Sequence, residues 1–548
     1  MDFSVSGKLV DIETESISPV TVTVADGIIS DIRAAQGPVP DQYITPGFVD
    51  AHVHVESSML VPSEFARMAV THGTVGAVSD PHEIANVCGL AGVEYMIENG
   101  KKVPFKFCFG APSCVPATTF ETSGARLGAR EVEQLLVQKD IGYLAEVMNF
   151  PAVLSGESEI MEKIAIALAL GKPVDGHAPG LRGEQAHAYA AAGISTDHEC
   201  TTAAEALDKL SAGMKILIRE GSAARNFDAL IPLLDDFPRD IMFCSDDKHP
   251  DNLLLGHINQ LCARAVAAGV DIFKVLQAAC VNPVTHYRLP VGLLKKGDPA
   301  DFVILQDLTT FRVLKTYING GIVAENGRTK ISSVASEGTP INNFRCHLKE
   351  TAAFKLPVPT GLLPEKTVPV IEVTDGQLIT GRGWWHPLVE GDAYVASPEE
   401  DVLKIVVVNR YAEAPVACSF VKNFGLKSGA MASSIAHDSH NIIAVGADDV
   451  SLCKAVNSLI ECRGGIAVVD GGQRYVLPLP VAGLMSAEDG FSIAHRYSEL
   501  DRAVKTLGSK LRSPFMTLSF MALLVIPELK ISDKGLFDGQ TFQLVASV

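Results

Sequence analysis

Two histidines one residue apart, His52 and His54, stand in the stretch PGFVDAHVHVESS. In an extended strand, positions i and i+2 project from one face, so both imidazoles are expected side by side. Four further ligand-type side chains follow, each at the end of a short apolar run: Glu146 in YLAEVM, His177 in DGHAPG, His198 in TDHECT and Asp246 in CSDDKHP. Four imidazoles and two carboxylates suit a pair of divalent ions such as Zn, Mn or Fe(II). A carboxylate between two ions can bridge them. Metal binding lowers the pKa of water from about 15.7 towards about 7, which gives hydroxide at neutral pH. Asp246 beside it can take a proton and pass it to a leaving group. A lone histidine at a strand end is more often structural, but ligand-type residues at several expected strand ends are hard to get by accident.

The elements that must position this set can be read from periodicity. Eight short apolar runs recur between residues 45 and 290: GFVDAHVHV, TVGAVSD, FKFCFGAP, GYLAEVMNF, KPVDGHAPG, ISTDHECTT, MKILIREGS and IMFCSDDKHP. Between them lie longer, Ala-rich segments of helical period, such as SEIMEKIAIALALG and LCARAVAAGVDIFKVLQAAC. Strands alternating with helices eight times predict an α/β fold, a (β/α)8 barrel, with its chemistry at the C-terminal strand ends. Residues 1–44 alternate around an Asp-Gly turn in TVTVADGIISDI. Residues 291–330 (LLKKGDPADFVIL, VLKTYINGGIVAENGR) do likewise, so both segments are expected to form one small flanking β-sandwich domain. Residues 331–365, rich in Ser, Asn, Thr and Pro, read as a connection. Residues 366–548 mix strands (KIVVVNR, GGIAVVDGG) and helices (DVSLCKAVNSLIE, YSELDRAVKTLGS) into a further α+β domain.

The bulk numbers set the class. The chain has 548 residues, 47% hydrophobic and 20% charged, with a net charge of -18. Its length predicts roughly two to four domains. The negative balance argues against nucleic acid or an anionic membrane as partner, since both need a basic face. The apolar run FMALLVIP stops well short of the ~20 residues that span a bilayer. The N-terminus lacks the pattern of a secretory signal. Its 11 cysteines include no CxxC pair and read as reduced thiols. A cytoplasmic enzyme is the expectation.

PGFVDAHVHVESS resembles the first-strand signature of the amidohydrolase superfamily, and KKGDPADFVIL resembles the return strand of its small β domain. Within it, DPHEIANVCG, APSCVPAT, AEVMNFPAV, DGHAPG, STDHECTT, CSDDKHPDNL, GGIAVVDGG and LPLPVAGLMS resemble the bacterial adenine deaminases over nearly the whole chain. The resemblance implies conversion of adenine and water to hypoxanthine and ammonia in purine salvage or catabolism. It implies two divalent ions, Mn(II) or Fe(II), with Zn(II) as an alternative, held by His52, His54, Glu146, His177, His198 and Asp246. Glu146 would be the bridge, and a homo-oligomer, a dimer by preference, is expected. Asp246 is chosen over Asp247 because the superfamily uses the residue directly after the strand-end Ser. The alternative reading is another amidohydrolase acting on a cyclic amide or on a different 6-aminopurine. A non-enzymatic scaffold would show a missing ligand, and none is missing.

Substrate contacts are less determined by sequence. Glu121 in TTFETSGA and Arg219 in LIREGS are candidates, with an Arg219–Glu220 ion pair at the rim as the plainer reading. Asp80, His82 and Glu83 in DPHEIAN are candidates to orient the ligand imidazoles. His437, Asp438 and His440 in IAHDSHN form either a solvated turn or a loop reaching the barrel mouth.

Overall fold

The computed structural model describes residues 2–334, 338–359 and 367–547. Eight short parallel strands form the barrel: β1 (Phe48–Val53), β2 (Thr74–Ser79), β3 (Lys106–Ala111), β4 (Ile141–Val147), β5 (Val174–Gly176), β6 (Thr196–Asp197), β7 (Lys215–Arg219) and β8 (Ile241–Cys244). Each coincides with one of the eight apolar runs, β4 starting one residue earlier at Ile141. Strands buried on both faces read as continuous hydrophobic stretches rather than alternating ones, and β1, β2 and β8 are buried throughout. The sheet pairs in order as β1–β5 and β6–β8. Main-chain hydrogen bonds join the two arcs: Ser195 N to Val174 O at 2.8 Å, and Asp246 N to His52 O at 2.9 Å. The second of these seams lies at the metal-ligand candidates themselves.

Gly176, which ends β5, is required sterically. A Cβ there would stand 2.4 Å from Thr196 O and 3.0 Å from the Tyr189 ring. The absence of that Cβ lets β5 approach β6 and fixes where His177 emerges. The long helical segment expected around residues 261–280 is broken. It forms Ile258–Ala267, then Ile272–Leu276, then a π turn over Gln277–Val281. Gly269 takes φ +93°, and Asp271 caps the new start by accepting from Phe273 N at 2.8 Å.

Strands from both flanking segments share one eight-stranded sheet, with Tyr43–Pro46 pairing Phe302–Leu305 in its middle. The sheet folds over on itself, since Ile28 at its far edge bridges to Pro299. Val22, Val24, Ile29, Ile44, Phe302 and Ile304 fill its interior. Asp26-Gly27, Asn319-Gly320 and Asn326-Gly327 make tight turns in these segments, all six residues at positive φ. In LLKKGDPADFVIL only Phe302–Leu305 is a strand. The Asp298 carboxylate gathers the preceding residues into a loop, accepting from Leu293 N and Lys295 N at 2.8 and 3.2 Å.

The C-terminal region is built on a second eight-stranded sheet. Its strand Val402–Val408 alternates between two cores. Val406 and Val408 pack under the helix Asp449–Cys462, while Ile405 and Val407 join the core that continues into the barrel. The helices Gly490–Thr506 and Pro514–Phe520 occupy that second face. Phe344 and Phe354, in the stretch read as a connection, are buried in the C-terminal core. The expected boundary at 365/366 lies outside the described residues. Among the described residues, no helix is long and apolar enough to cross a membrane.

Candidate active site

At the C-terminal mouth of the barrel the six ligand-type residues converge. His52 is the penultimate residue of β1 and His54 directly follows the strand. Their Nε2 atoms are 3.2 Å apart, and Asp246 Oδ1 lies 3.6 and 3.3 Å from them. Glu146, near the end of β4, stands between this group and the next. Its Oε2 is 2.9 Å from His198 Nε2, 3.1 Å from His177 Nδ1 and 3.7 Å from His52 Nε2, while Oε1 is 3.7 Å from His54 Nε2. All six side chains are buried.

The loops after β5 and β6 are held by one carboxylate. Asp197 accepts from Ala178 N at 3.0 Å and from Glu199 N at 2.7 Å, so it pins the backbone beside both His177 and His198. Tyr189 adds a second anchor, donating to Val147 O while accepting from His177 N.

These atoms fit a metal pair. Two ligands at about 2.1 Å from one tetrahedral ion stand roughly 3.4 Å apart. The His52, His54 and Asp246 atoms meet that spacing. Two buried imidazole Nε2 atoms 3.2 Å apart, with a carboxylate oxygen beside them, are a donor set that a divalent ion can take. His177 Nε2 and His52 Nδ1 are buried without a partner. The electrostatics favour the ligand forms of His52, Glu146 and Asp246, whereas nearby carboxylates outweigh burial and raise His54, His177 and His198, so an ion bound there displaces their protons. Burial, then the neighbouring His198, holds His52 neutral, with its pKa well below the usual range. Burial opposes ionisation of Glu146, but His177 and His198 outweigh it and keep the carboxylate charged. Asp246 is likewise held charged against burial, chiefly by Arg219.

Of the two adjacent aspartates, Asp246 faces His52 and His54, whereas Asp247 accepts a hydrogen bond from Ser57. Arg219 does not pair with Glu220. Successive residues at a strand end point to opposite sides. Arg219 turns inward to Asp246 Oδ2 at 2.6 Å and to Glu199 Oε2 at 2.9 Å; Glu220 turns outward to Arg264 and Arg225. Arg219 lines the cavity, but its terminal nitrogens are engaged by these two carboxylates. Glu121 is buried one layer behind the cavity wall, accepting from Thr118 Oγ1 at 3.0 Å. Burial, with Asp438 nearby, pushes its pKa up to about 8.

The DPHEIAN segment does reach the site. Asp80 O is 3.2 Å from His54 Nδ1 and orients that ring. His82 Nδ1 is 3.2 Å from Asp80 Oδ2 and 3.5 Å from Glu146 Oε1, so a fifth imidazole touches the centre. Glu199 was not singled out in the sequence, although it directly follows His198. It lies 3.5 Å from His177 Nδ1 and 3.6 Å from His198 Nε2. IAHDSHN is no solvated turn: it enters the mouth from the C-terminal sheet. Asp438 Oδ1 is 3.4 Å from His82 Nε2, and both His437 and Asp438 line the cavity with Leu378 and Leu523. His440 is buried behind them.

Comparison with known proteins agrees along the whole length. A model of the amidohydrolase family matches residues 43–323, and one described as the adenine deaminase C-terminal domain matches residues 377–543. The chain is 55% identical over 545 residues to the adenine deaminase of Salinibacter ruber, covering 99% of this chain and 98% of that one. It is 55% identical over 541 residues to that of a Sulfurovum species, covering 98% of each. It is 52% identical over 529 residues to that of Methanosarcina barkeri, covering 96% and 95%. Among solved structures, a β-aspartyl dipeptidase from Fervidobacterium islandicum matches 60% of this chain and 99% of its own, with a TM-score of 0.45 at 13% identity.

Proposed function

Because the chain belongs to the amidohydrolase family and to its adenine deaminases, we infer that the six side chains at the barrel mouth carry out hydrolytic deamination of adenine. Adenine and water give hypoxanthine and ammonia. The observation that carries this reading is the position of Glu146, with one group of ligand atoms on each side. A cyclic amide or another 6-aminopurine as the main substrate is not favoured.

His52, His54, Glu146, His177, His198 and Asp246 would hold two divalent ions, Mn(II) or Fe(II) before Zn(II). Such ions supply, when bound, the Lewis acidity that makes water acidic enough to attack C6 at neutral pH. Asp246 accepts one proton of the attacking water at Oδ1 and returns it to the amino group, which leaves as ammonia when the C6–N bond breaks, while the other hydrogen of the water ends on N1 of hypoxanthine. Arg219 holds Oδ2 and so keeps Oδ1 aimed at His52 and His54. It is a positioning residue by this geometry, and a substrate contact only if its Nε, buried without a partner, meets the purine. Glu121, whose pKa burial raises to about 8, is held by Thr118 behind the cavity wall, and contact with the purine would need it to move forward. Leu378 and Leu523 supply apolar walls that keep bulk water from the ring.

The setting we assign is cytoplasmic purine salvage or catabolism, with the enzyme as a homodimer. Incubating the Mn(II)-loaded protein with adenine tests the reading: adenine absorbance should fall with equimolar ammonia release. Absence of turnover with two metals bound per chain would refute the substrate.

A further inference from the structure

We propose that the mouth of the barrel holds a third divalent cation, bound by Glu83, Asp247 and His437 beside the metal pair. The proposal rests on the reading of that pair given above. None of these three residues belongs to it.

The three come from separate parts of the chain. Glu83 lies in the first turn of the helix His82–Cys88 after β2. Asp247 follows β8, and His437 is brought in by the C-terminal sheet. His437 Nδ1 is 3.4 Å from Glu83 Oε1, and His437 Nε2 is 3.9 Å from Asp247 Oδ1. Ser57 Oγ stands between the two carboxylates, 3.0 Å from Glu83 Oε1 and 2.5 Å from Asp247 Oδ1. One ligand atom from each of the three lies within 4.8 Å of the others.

Charge and hydrogen bonding both point to a missing partner. Glu83 is 0% exposed, His437 3% and Asp247 8%, and the fully buried Glu56 adjoins them through Ile84 N. Within 4.0 Å, among the described residues, Glu83 and Asp247 share the His437 imidazole, with His54 and His82 farther from Glu83, and Glu56 has no imidazole that close. Among the described residues, no lysine or arginine forms an ion pair with Glu56, Glu83 or Asp247. Burying charge without compensation is costly; burial raises the pKa of Glu56 and Glu83, so without an ion they hold their protons, and a divalent cation would displace those protons and pair the charges. Glu83 Oε2, Glu56 Oε2 and His437 Nε2 are all buried with no hydrogen-bond partner. Two carboxylates and an imidazole suit Mn(II), Fe(II) or Zn(II). Asp247 and His437 also line the cavity, so the ion would add positive charge to the wall facing the substrate and tie the C-terminal sheet to the barrel.

The test is a metal count on the full chain. Metal-free protein is titrated with Mn(II), free ion is followed by electron paramagnetic resonance, and bound metal is measured by elemental analysis. The expected result is about three equivalents in the wild type. Glu83→Gln and His437→Asn, each made separately, should both drop to about two while keeping the wild-type circular dichroism. A wild type that saturates at about two equivalents, or variants that both retain the third, would overturn the proposal. Fewer than two equivalents in the wild type would overturn the metal-pair reading, and the proposal with it.

Discussion

Arg219 Nη1 lies 2.6 Å from Asp246 Oδ2, on the far side of the carboxylate from His52 and His54. One oxygen of Asp246 is thus fixed by a guanidinium while the other faces the reacting centre. The same guanidinium holds Glu199 with its second nitrogen at 2.9 Å. Arg219→Gln should leave two buried carboxylates facing each other without their shared cation. Breaking a buried pair of this kind costs about 3–5 kcal/mol. We expect adenine turnover to fall by about 100-fold or more, with weaker metal retention on dialysis. Wild-type kcat and metal content in the variant would show that the pair is not needed to aim Asp246.

Gly176→Ala tests the backbone that delivers His177. The added methyl would meet Thr196 O at 2.4 Å, and a backbone oxygen cannot swing away as a flexible side chain can. The strand must shift, at a cost of about 1–3 kcal/mol. Thermal unfolding should therefore begin at lower temperature, and kcat should fall because His177 moves with the strand. A variant with unchanged melting and unchanged kcat would contradict the packing described between β5 and β6.

Lys530 gives a pH dependence that is remote from the metal pair. Its ammonium group is fully buried and donates only to Leu378 O at 2.6 Å and Phe520 O at 2.9 Å. Burial lowers its pKa from 10.5 to about 7. Between these values the unfolded chain holds a proton that the folded chain has released, so stability rises with pH across that window. It is lost as pH falls towards 7. Lys530→Met removes the titration. Chemical denaturation at pH 7 and pH 9 should show the wild type gaining stability relative to the variant at the higher pH. A difference that is flat or reversed would place the lysine in a more polar setting than its two carbonyl partners provide.

Much of this architecture was legible because it is local. Parallel strands buried on both faces leave apolar runs, and the ligand residues sit at or just past the ends of these strands, as His177 does after Gly176. The turns at Asp26-Gly27 and Asn319-Gly320 need positive φ at both residues, which those pairs tolerate. Contacts between distant segments were not legible. Nothing local to Asp438 indicates that it meets His82, because that meeting depends on how the C-terminal sheet packs on the barrel. Arg219 and Glu220 show the opposite error. Adjacency suggested a pair, while strand alternation sends the two side chains to opposite sides. Glu199 could have been found by reading the residue after each strand-end histidine, since a loop imposes no alternation.

The most direct test of the account is Glu146→Gln, with bound metal and adenine turnover measured on the same preparation. Glu146 is the carboxylate whose two oxygens face both groups of ligand atoms. An amide keeps its shape but removes the charge and replaces one oxygen by an NH2 donor. The account predicts that the Mn(II) content of the pair falls and that kcat drops by about 1000-fold or more, with the fold intact. Full metal content with turnover near that of the wild type would contradict it, because the two groups of ligands would then not depend on the carboxylate between them.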